Sequence, residues 1–213
     1  MLLSCFAVLV LSLLLLTYKR ANSLQGASTL ATTSFCRLQT QQLDALRENR
    51  FVVIPDFLTD QLLQELQYDV ESLRSRGKFS AAKVGVTHDD GARNTKIRIA
   101  ENCFLGPNRL GDVPSDSRQQ LYDILNGVCD DLQTLHPLKP EVSELLYVYY
   151  PTGGFYRRHK DAVSTTSSIM RTYSLLLYLN DKNWDSKIDG GSLRIFFRDD
   201  DDDDRYMDVN PAG

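Results

Sequence analysis

Histidine is scarce in this sequence: there are three in 213 residues, at positions 88, 136 and 159. Cysteine is nearly as rare, with four, at positions 5, 36, 103 and 129. No pair of them has CxxC spacing, which excludes a zinc finger or a thioredoxin-type motif. If Cys5 leaves with a processed N-terminus, three remain, and an odd count argues against a disulfide framework. One bridge is possible, and spacing does not choose it. The chain also lacks a basic stripe. Its formal net charge of −4 excludes the electrostatic footprint of a nucleic-acid binder. There is no internal repeat.

What is present reads as one ordinary domain. The hydrophobic content of 42% and charged content of 24% are those of a globular chain with a sizeable core. The N-terminus differs. An apolar run from Leu2 to Thr17 is followed by Tyr18-Lys19-Arg20 and by the small residues Ala21-Asn22-Ser23. It is short for a bilayer and long enough for a signal-peptide core. Residues 1–23 are therefore expected to be a cleaved secretory signal, or else a short membrane anchor. A buried core helix is disfavoured, because the run is apolar on every face. Residues 24–37 read as a Ser/Thr/Ala-rich linker without acidic residues. The alternative is the second half of a two-part plastid address. The domain would then be residues 38–213. The expected location is the secretory pathway or endoplasmic reticulum, with membrane contact only if the N-terminal segment is uncleaved.

Thr40–Arg50 suggests a short helix ending near Asn49, and Phe51–Phe57 ("FVVIPDF") a strand closed by Pro55. Leu62, Leu66, Val70 and Leu73 recur at helical spacing, with Thr59 or Asp60 as cap and Gly77 as stop. Phe79–Asn94 is polar and Gly-containing, a long loop or irregular hairpin. "TKIRIAENCFL" returns to strand-like alternation. Leu121, Ile124, Leu125, Val128 and Leu132 mark a second amphipathic helix. From Glu144 the text is strands: "ELLYVYYP", "FYRRHKDAV", "RTYSLLLYLN" and "GGSLRIFF". Helices first and strands later predict an α+β domain with a helix layer on a sheet or barrel.

His159 and Asp161 stand two apart. On an extended strand they would share a face, and one imidazole plus one carboxylate are two of the three ligands of a facial triad for non-haem Fe(II). HxD alone is weak, and taken by itself a solvated, charged turn is the favoured reading. In "RTYSLLLYLN" the alternation separates an aliphatic face (Tyr173, Leu175, Leu177, Leu179) from a mixed one (Ser174, Leu176, Tyr178). The mixed face suits a largely apolar pocket with a few placed polar groups. His88 and His136 read as surface residues. The six aspartates at 199–204 read as a solvated loop rather than a calcium site, since they neither alternate with other residues nor carry a glycine turn.

"YYPTGGFYRRHKD", "RTYSLLLYLN", "NWDSKIDGGSLRIFF" and "DVNPAG" resemble the catalytic core of 2-oxoglutarate- and Fe(II)-dependent prolyl 4-hydroxylases, in the branch of the hypoxia-inducible-factor prolyl hydroxylases. "FVVIPDFL" and "LRSRGKF" fit the same branch. The resemblance runs from about Leu43 to Gly213. It implies a double-stranded β-helix, a jelly roll buttressed by helices, with His159 and Asp161 as iron ligands. It implies that Tyr150, Ser174, Leu176, Tyr178 and Leu193 line the 2-oxoglutarate pocket, Tyr178 bonding the distal carboxylate. Arg93 becomes a candidate substrate contact on a loop that orders on peptide. The implied cofactors are Fe(II), 2-oxoglutarate and ascorbate. The implied partners are O₂ and a proline-containing protein or peptide, the products succinate, CO₂ and hydroxyproline. The family pattern continues with further strands, a second histidine and a basic residue. No histidine follows Asp161 here, so residues 1–213 alone are expected to be inactive. The alternative is a non-catalytic binding module or an inactive fragment of the fold.

Overall fold

A computed structural model describes residues 6–14, 36–84, 94–106, 110, 115–137, 139–164, 167–197 and 205–211. The helix layer is built by α1 (Thr40–Asn49), α2 (Asp60–Ser75) and α3 (Asp116–Leu132). α2 starts where the Thr59 hydroxyl accepts from the Leu62 N–H at 3.3 Å, and it stops before Gly77, whose φ of +66° favours glycine. The Ser115 hydroxyl caps α3 by accepting from the Arg118 N–H at 3.3 Å. The periodic residues do what their spacing predicts: Leu62, Leu66, Val70 and Leu73 of α2 pack with Leu121, Ile124, Leu125, Val128 and Leu132 of α3 in one core. Each such buried side chain contributes about 1.5–3 kcal/mol.

Under the helices lies an antiparallel sheet. Its strands are β1 (Phe6–Leu14), β2 (Ser80–Ala81), β4 (Glu101–Phe104), β5 (Glu141–Tyr150) and β7 (Arg171–Tyr178), in the order β2-β4-β5-β1-β7. Two hairpin-like pairs flank it. β3 (Arg98–Ile99) pairs with β6 (Phe155–Tyr156), and β8 (Leu193–Phe196) with β9 (Tyr206–Val209). β7 follows its alternation: Tyr173, Leu175, Leu177 and Leu179 pack into the helix-side core, leaving Ser174, Leu176 and Tyr178 for the other face. A Ser186–Asp189 helical turn, α4, precedes β8. The architecture is mixed helix and sheet, as expected.

Three strand expectations change. Phe51–Phe57 is not a strand. Asp56 takes a positive φ of 50° after Pro55, and Val53 is exposed, so the run is a turn-bearing connector without a strand partner. "TKIRIAENCFL" divides between two sheets at Ala100. "FYRRHKDAV" is extended only at Phe155–Tyr156. Residues 6–14 of the N-terminal run form strand β1 of the sheet. It pairs with β5 from Phe6↔Tyr150 to Leu14↔Glu141 and with β7 from Val8↔Tyr178 to Leu14↔Arg171. A run apolar on both faces suits a doubly covered strand as well as a signal core. Among the described residues no helix is long and apolar enough to cross a membrane. Most of the linker 24–37, the loop at 85–93 and the aspartate run lie outside the described residues.

A polar knot ties the layers together. Asp69 of α2 accepts a hydrogen bond from the Tyr147 hydroxyl of β5 at 3.1 Å, and Arg118 Nε of α3 lies 2.9 Å from the same carboxylate oxygen. The approach is an ion pair by distance, although the Nε–H is not aimed along it. All three side chains are buried. Cys36, Cys103 and Cys129 are free thiols. His136 is not a bare surface residue: it is half-buried, hydrogen-bonded to the Tyr173 hydroxyl and set edge-on to that ring.

Candidate active site

β6 delivers the turn that carries the HxD pair. The Pro151–Gly154 turn reverses the chain after β5, and the Gly154 N–H closes it on the Pro151 carbonyl at 2.6 Å. A Cβ on Gly154 would lie 2.7 Å from that carbonyl and 2.9 Å from the Ile99 carbonyl, so only glycine lets β6 approach β3. The Arg157 N–H then bonds the Ile97 carbonyl at 2.9 Å, the last ladder bond before the chain leaves the sheet.

His159 and Asp161 therefore sit in a turn, not on a strand, and strand alternation is not what unites them. They meet nonetheless. His159 Nε2 is 3.1 Å from Asp161 Oδ1. His159 Nδ1 lies 2.8 Å from the Arg157 carbonyl. With Nδ1–H donated to that carbonyl, Nε2 is the nitrogen turned toward the carboxylate, donating to it when protonated and offering a lone pair when not. The Ser174 hydroxyl of β7 donates to the other oxygen, Asp161 Oδ2. Arg171, paired with Glu144, also reaches the Asp161 carbonyl oxygen at 3.4 Å. The loop is thus pinned to β5 and β7.

The electrostatics follow. The hydrogen bond from His159 holds the Asp161 carboxyl down to about 2, against burial, with help from Ser174 and from the charges of His159 and Arg171. For His159, burial works against the proton, but Asp161 and the Arg157 carbonyl outweigh it and the imidazole is raised. The proton shared by this pair is what a bound cation would displace.

The mixed face of β7 brings the expected lining together. Ser174, Leu176 and Tyr178 share it. Burial pushes the Tyr178 hydroxyl up to about 12, with the Tyr150 phenol as a neighbour, while the backbone of Leu193 hydrogen-bonds the hydroxyl. Tyr150, Tyr178 and Leu193 are thereby one cluster. Tyr150 also borders a cleft of about 380 Å³ with Pro151, Trp184, Lys187, Ile188 and Asp189. Arg93 falls outside the described residues.

Two residues with no part in the sequence-based expectation also belong to the site. The Tyr156 ring stacks on His159, centroids 3.6 Å apart and planes at 17°. Arg98 lies over Tyr156, its Cζ 4.4 Å from the ring centroid. "FYRRH" and "KIR" offer rings and cations, but only the Arg98↔Tyr156 pairing of β3 and β6 shows they meet.

The donor set suits Fe(II) in part. One imidazole nitrogen and one carboxylate oxygen converge, the right donor types for a facial triad. Among the described residues, no group of three His, Cys, Asp or Glu gathers, so the pair accounts for two positions.

Comparison with known proteins agrees with this chemistry. Residues 145–213 match the model of the 2OG-Fe(II) oxygenase superfamily. The chain is 27% identical over 154 residues to Egl nine homolog 1 of Homo sapiens, covering 71% of this chain and 34% of the relative. The Rattus norvegicus and Mus musculus proteins of that name are 27% and 26% identical over 154 residues, covering 43% and 36% of their lengths. The chain spans well under half the length of these relatives. No solved structure matches it. With a histidine–aspartate pair lying inside the matched segment, residues 145–213 of this chain are similar to the 2OG-Fe(II) oxygenase superfamily, and the chain is similar to the Egl nine proteins.

Proposed function

We propose that the protein is an Fe(II)- and 2-oxoglutarate-dependent dioxygenase that hydroxylates peptidyl proline, with ascorbate as a supporting reductant, on a jelly-roll core that closes as a double-stranded β-helix. The observation that carries the reading is the 3.1 Å approach of His159 Nε2 to Asp161 Oδ1, within a turn pinned by Ser174 and Arg171. A ferrous ion held there would supply activation of O₂ coupled to decarboxylation of 2-oxoglutarate.

The chain's own residues have three tasks. His159 presents a lone pair at Nε2 because Nδ1 is engaged by the Arg157 carbonyl. Asp161 presents Oδ1 because Oδ2 is engaged by Ser174. Tyr178, neutral throughout the physiological range, offers a hydroxyl to a carboxylate, and with Tyr150, Leu176 and Leu193 it would line a pocket that limits water. Arg93 is proposed to contact the peptide.

The test has two parts. Mn(II) binding to the chain should be detectable by paramagnetic resonance and lost in His159→Ala and Asp161→Ala. Succinate release from 2-oxoglutarate with Fe(II), ascorbate and proline-containing peptides, in the intact gene product, should vanish in both variants. Metal binding that survives both substitutions would refute the site. Succinate release that is indifferent to peptide would refute the substrate class.

A further inference from the structure

The stack Arg98–Tyr156–His159 is not explained by core packing. An arginine beside a hydrophobic sheet edge normally finds a carboxylate, yet among the described residues Arg98 forms no ion pair within 4 Å. Its Nη2 donates to Asn102 Oδ1 at 3.2 Å, and it also hydrogen-bonds the Tyr150 hydroxyl. Its Nε is buried without a partner. Burying an unsatisfied donor of a cation opposes folding, and an aliphatic residue would avoid that cost. What the arginine gains is a place over the Tyr156 ring, where the quadrupole attracts a cation. The other partner of that ring is the His159 imidazole, stacked nearly parallel to it at 3.6 Å.

We propose that Arg98 is a positioning residue for the metal ligand His159, acting through the Tyr156 ring. The inference deepens the functional reading above and rests on it, because it assigns an orienting role within the same metal site. The logic is geometric. β3 and β6 are two-residue strands, so the ladder at Arg98↔Tyr156 and Ile99↔Phe155 is short. His159 lies three residues beyond β6 in a turn. Its ring is held by the Nδ1 bond to the Arg157 carbonyl, by the Nε2 approach to Asp161 and by the stack, and of these only the stack bears on the face of the ring. Arg98 clamps Tyr156 from β3 and is itself fixed by Asn102 of β4 and Tyr150 of β5. Ring orientation at the metal is thus referred back to the central sheet. Outer groups that orient a ligand typically change metal affinity by about 10–100-fold when removed.

The probe is Co(II), added to the full chain, with affinity and the visible ligand-field spectrum as readouts. Arg98→Ala and Tyr156→Leu are expected to weaken Co(II) binding by about tenfold or more and to shift the spectrum. Tyr156→Phe keeps the ring and should bind as the unmodified chain does. Arg98→Lys keeps a cation over the ring and should recover part of the loss. The double variant Arg98→Ala/Tyr156→Leu should be no weaker than the worse single, since both break one chain of contacts. Tyr156 variants leave the Asn102 and Tyr150 bonds of Arg98 alone, so they decide the matter should Arg98→Ala unfold. Binding within twofold of the unmodified chain in Arg98→Ala or Tyr156→Leu, with His159→Ala defective, overturns the positioning role alone. Equal binding by the unmodified chain and His159→Ala overturns both this role and the metal site.

Discussion

Replacing Asp69 by asparagine should be among the most damaging conservative changes in the molecule. The carboxylate sits between α2, α3 and β5, accepts from Tyr147 and faces Arg118 Nε at 2.9 Å, with side-chain exposures of 10% and 9% across the ion pair. Asparagine keeps the volume and removes the charge, leaving the Arg118 cation buried against an amide. Loss of one member of a buried pair costs about 3–5 kcal/mol. For a chain of this size each kcal/mol moves Tm by about 2–4 °C, so a drop on the order of 10 °C is expected. Tyr147→Phe removes one hydrogen bond to a charged acceptor and should cost less, about 1.5–3 kcal/mol. The informative control is Asp69→Leu combined with Arg118→Met. It removes both charges and fills the space, so it should recover most of the stability lost by either single change. Urea melts followed by circular dichroism give the free energies, and the double-mutant cycle gives the coupling. A loss below about 1 kcal/mol for Asp69→Asn, or a double variant as unstable as the sum of its singles, would refute the reasoning.

Two further outcomes follow from the site and the core. Ser174→Ala deletes the hydroxyl on Asp161 Oδ2; because Asp161 is partly solvated, the loss should be at the low end for a charge-assisted bond, about tenfold in Mn(II) affinity, with Ser174→Thr near normal by paramagnetic resonance. Burial pushes the Cys103 and Cys129 thiols up to about 11. Their contribution to stability is therefore complete below their ordinary value near 9 and is lost as pH rises through 11. Native protein at pH 8 should leave both unmodified by a thiol-disulfide reagent, and rapid labelling there would count against the core assignment.

Much of this was legible from residue patterns, and the exceptions have physical causes. α2 and α3 declare themselves because their apolar residues repeat every three or four positions on helices long enough to carry a stripe. β7 declares itself because eight alternating residues separate Ser174 and Tyr178 from the aliphatic side. The HxD pair was found for a reason that does not hold: a turn pinned by Arg171 and Ser174 brings the side chains together. Phe51–Phe57 has strand composition without a neighbouring edge to pair with, and composition cannot report a missing partner. Arg98 and Tyr156 stand 58 positions apart and meet only across a two-residue ladder, too short to leave a periodic trace. For the first apolar run, the same property that suits export suits a central strand.

That first strand has a consequence in time. β1 is made first, while its partners β5 and β7 begin at Glu141 and Arg171, and even its closest pairing, Leu14↔Glu141, spans more than 120 residues. At about 5–20 residues per second a ribosome needs on the order of 10 s to bridge that interval. For those seconds the nascent chain presents an unpaired apolar segment of nine residues, open to the export machinery and to chaperones alike. The sheet cannot close before β7, Arg171–Tyr178, has been made, and its assembly is a non-local step with the slow kinetics such pairings bring. Capture of residues 6–14 at the ribosome would compete with their insertion between β5 and β7, so slowing elongation upstream of Glu141 favours capture.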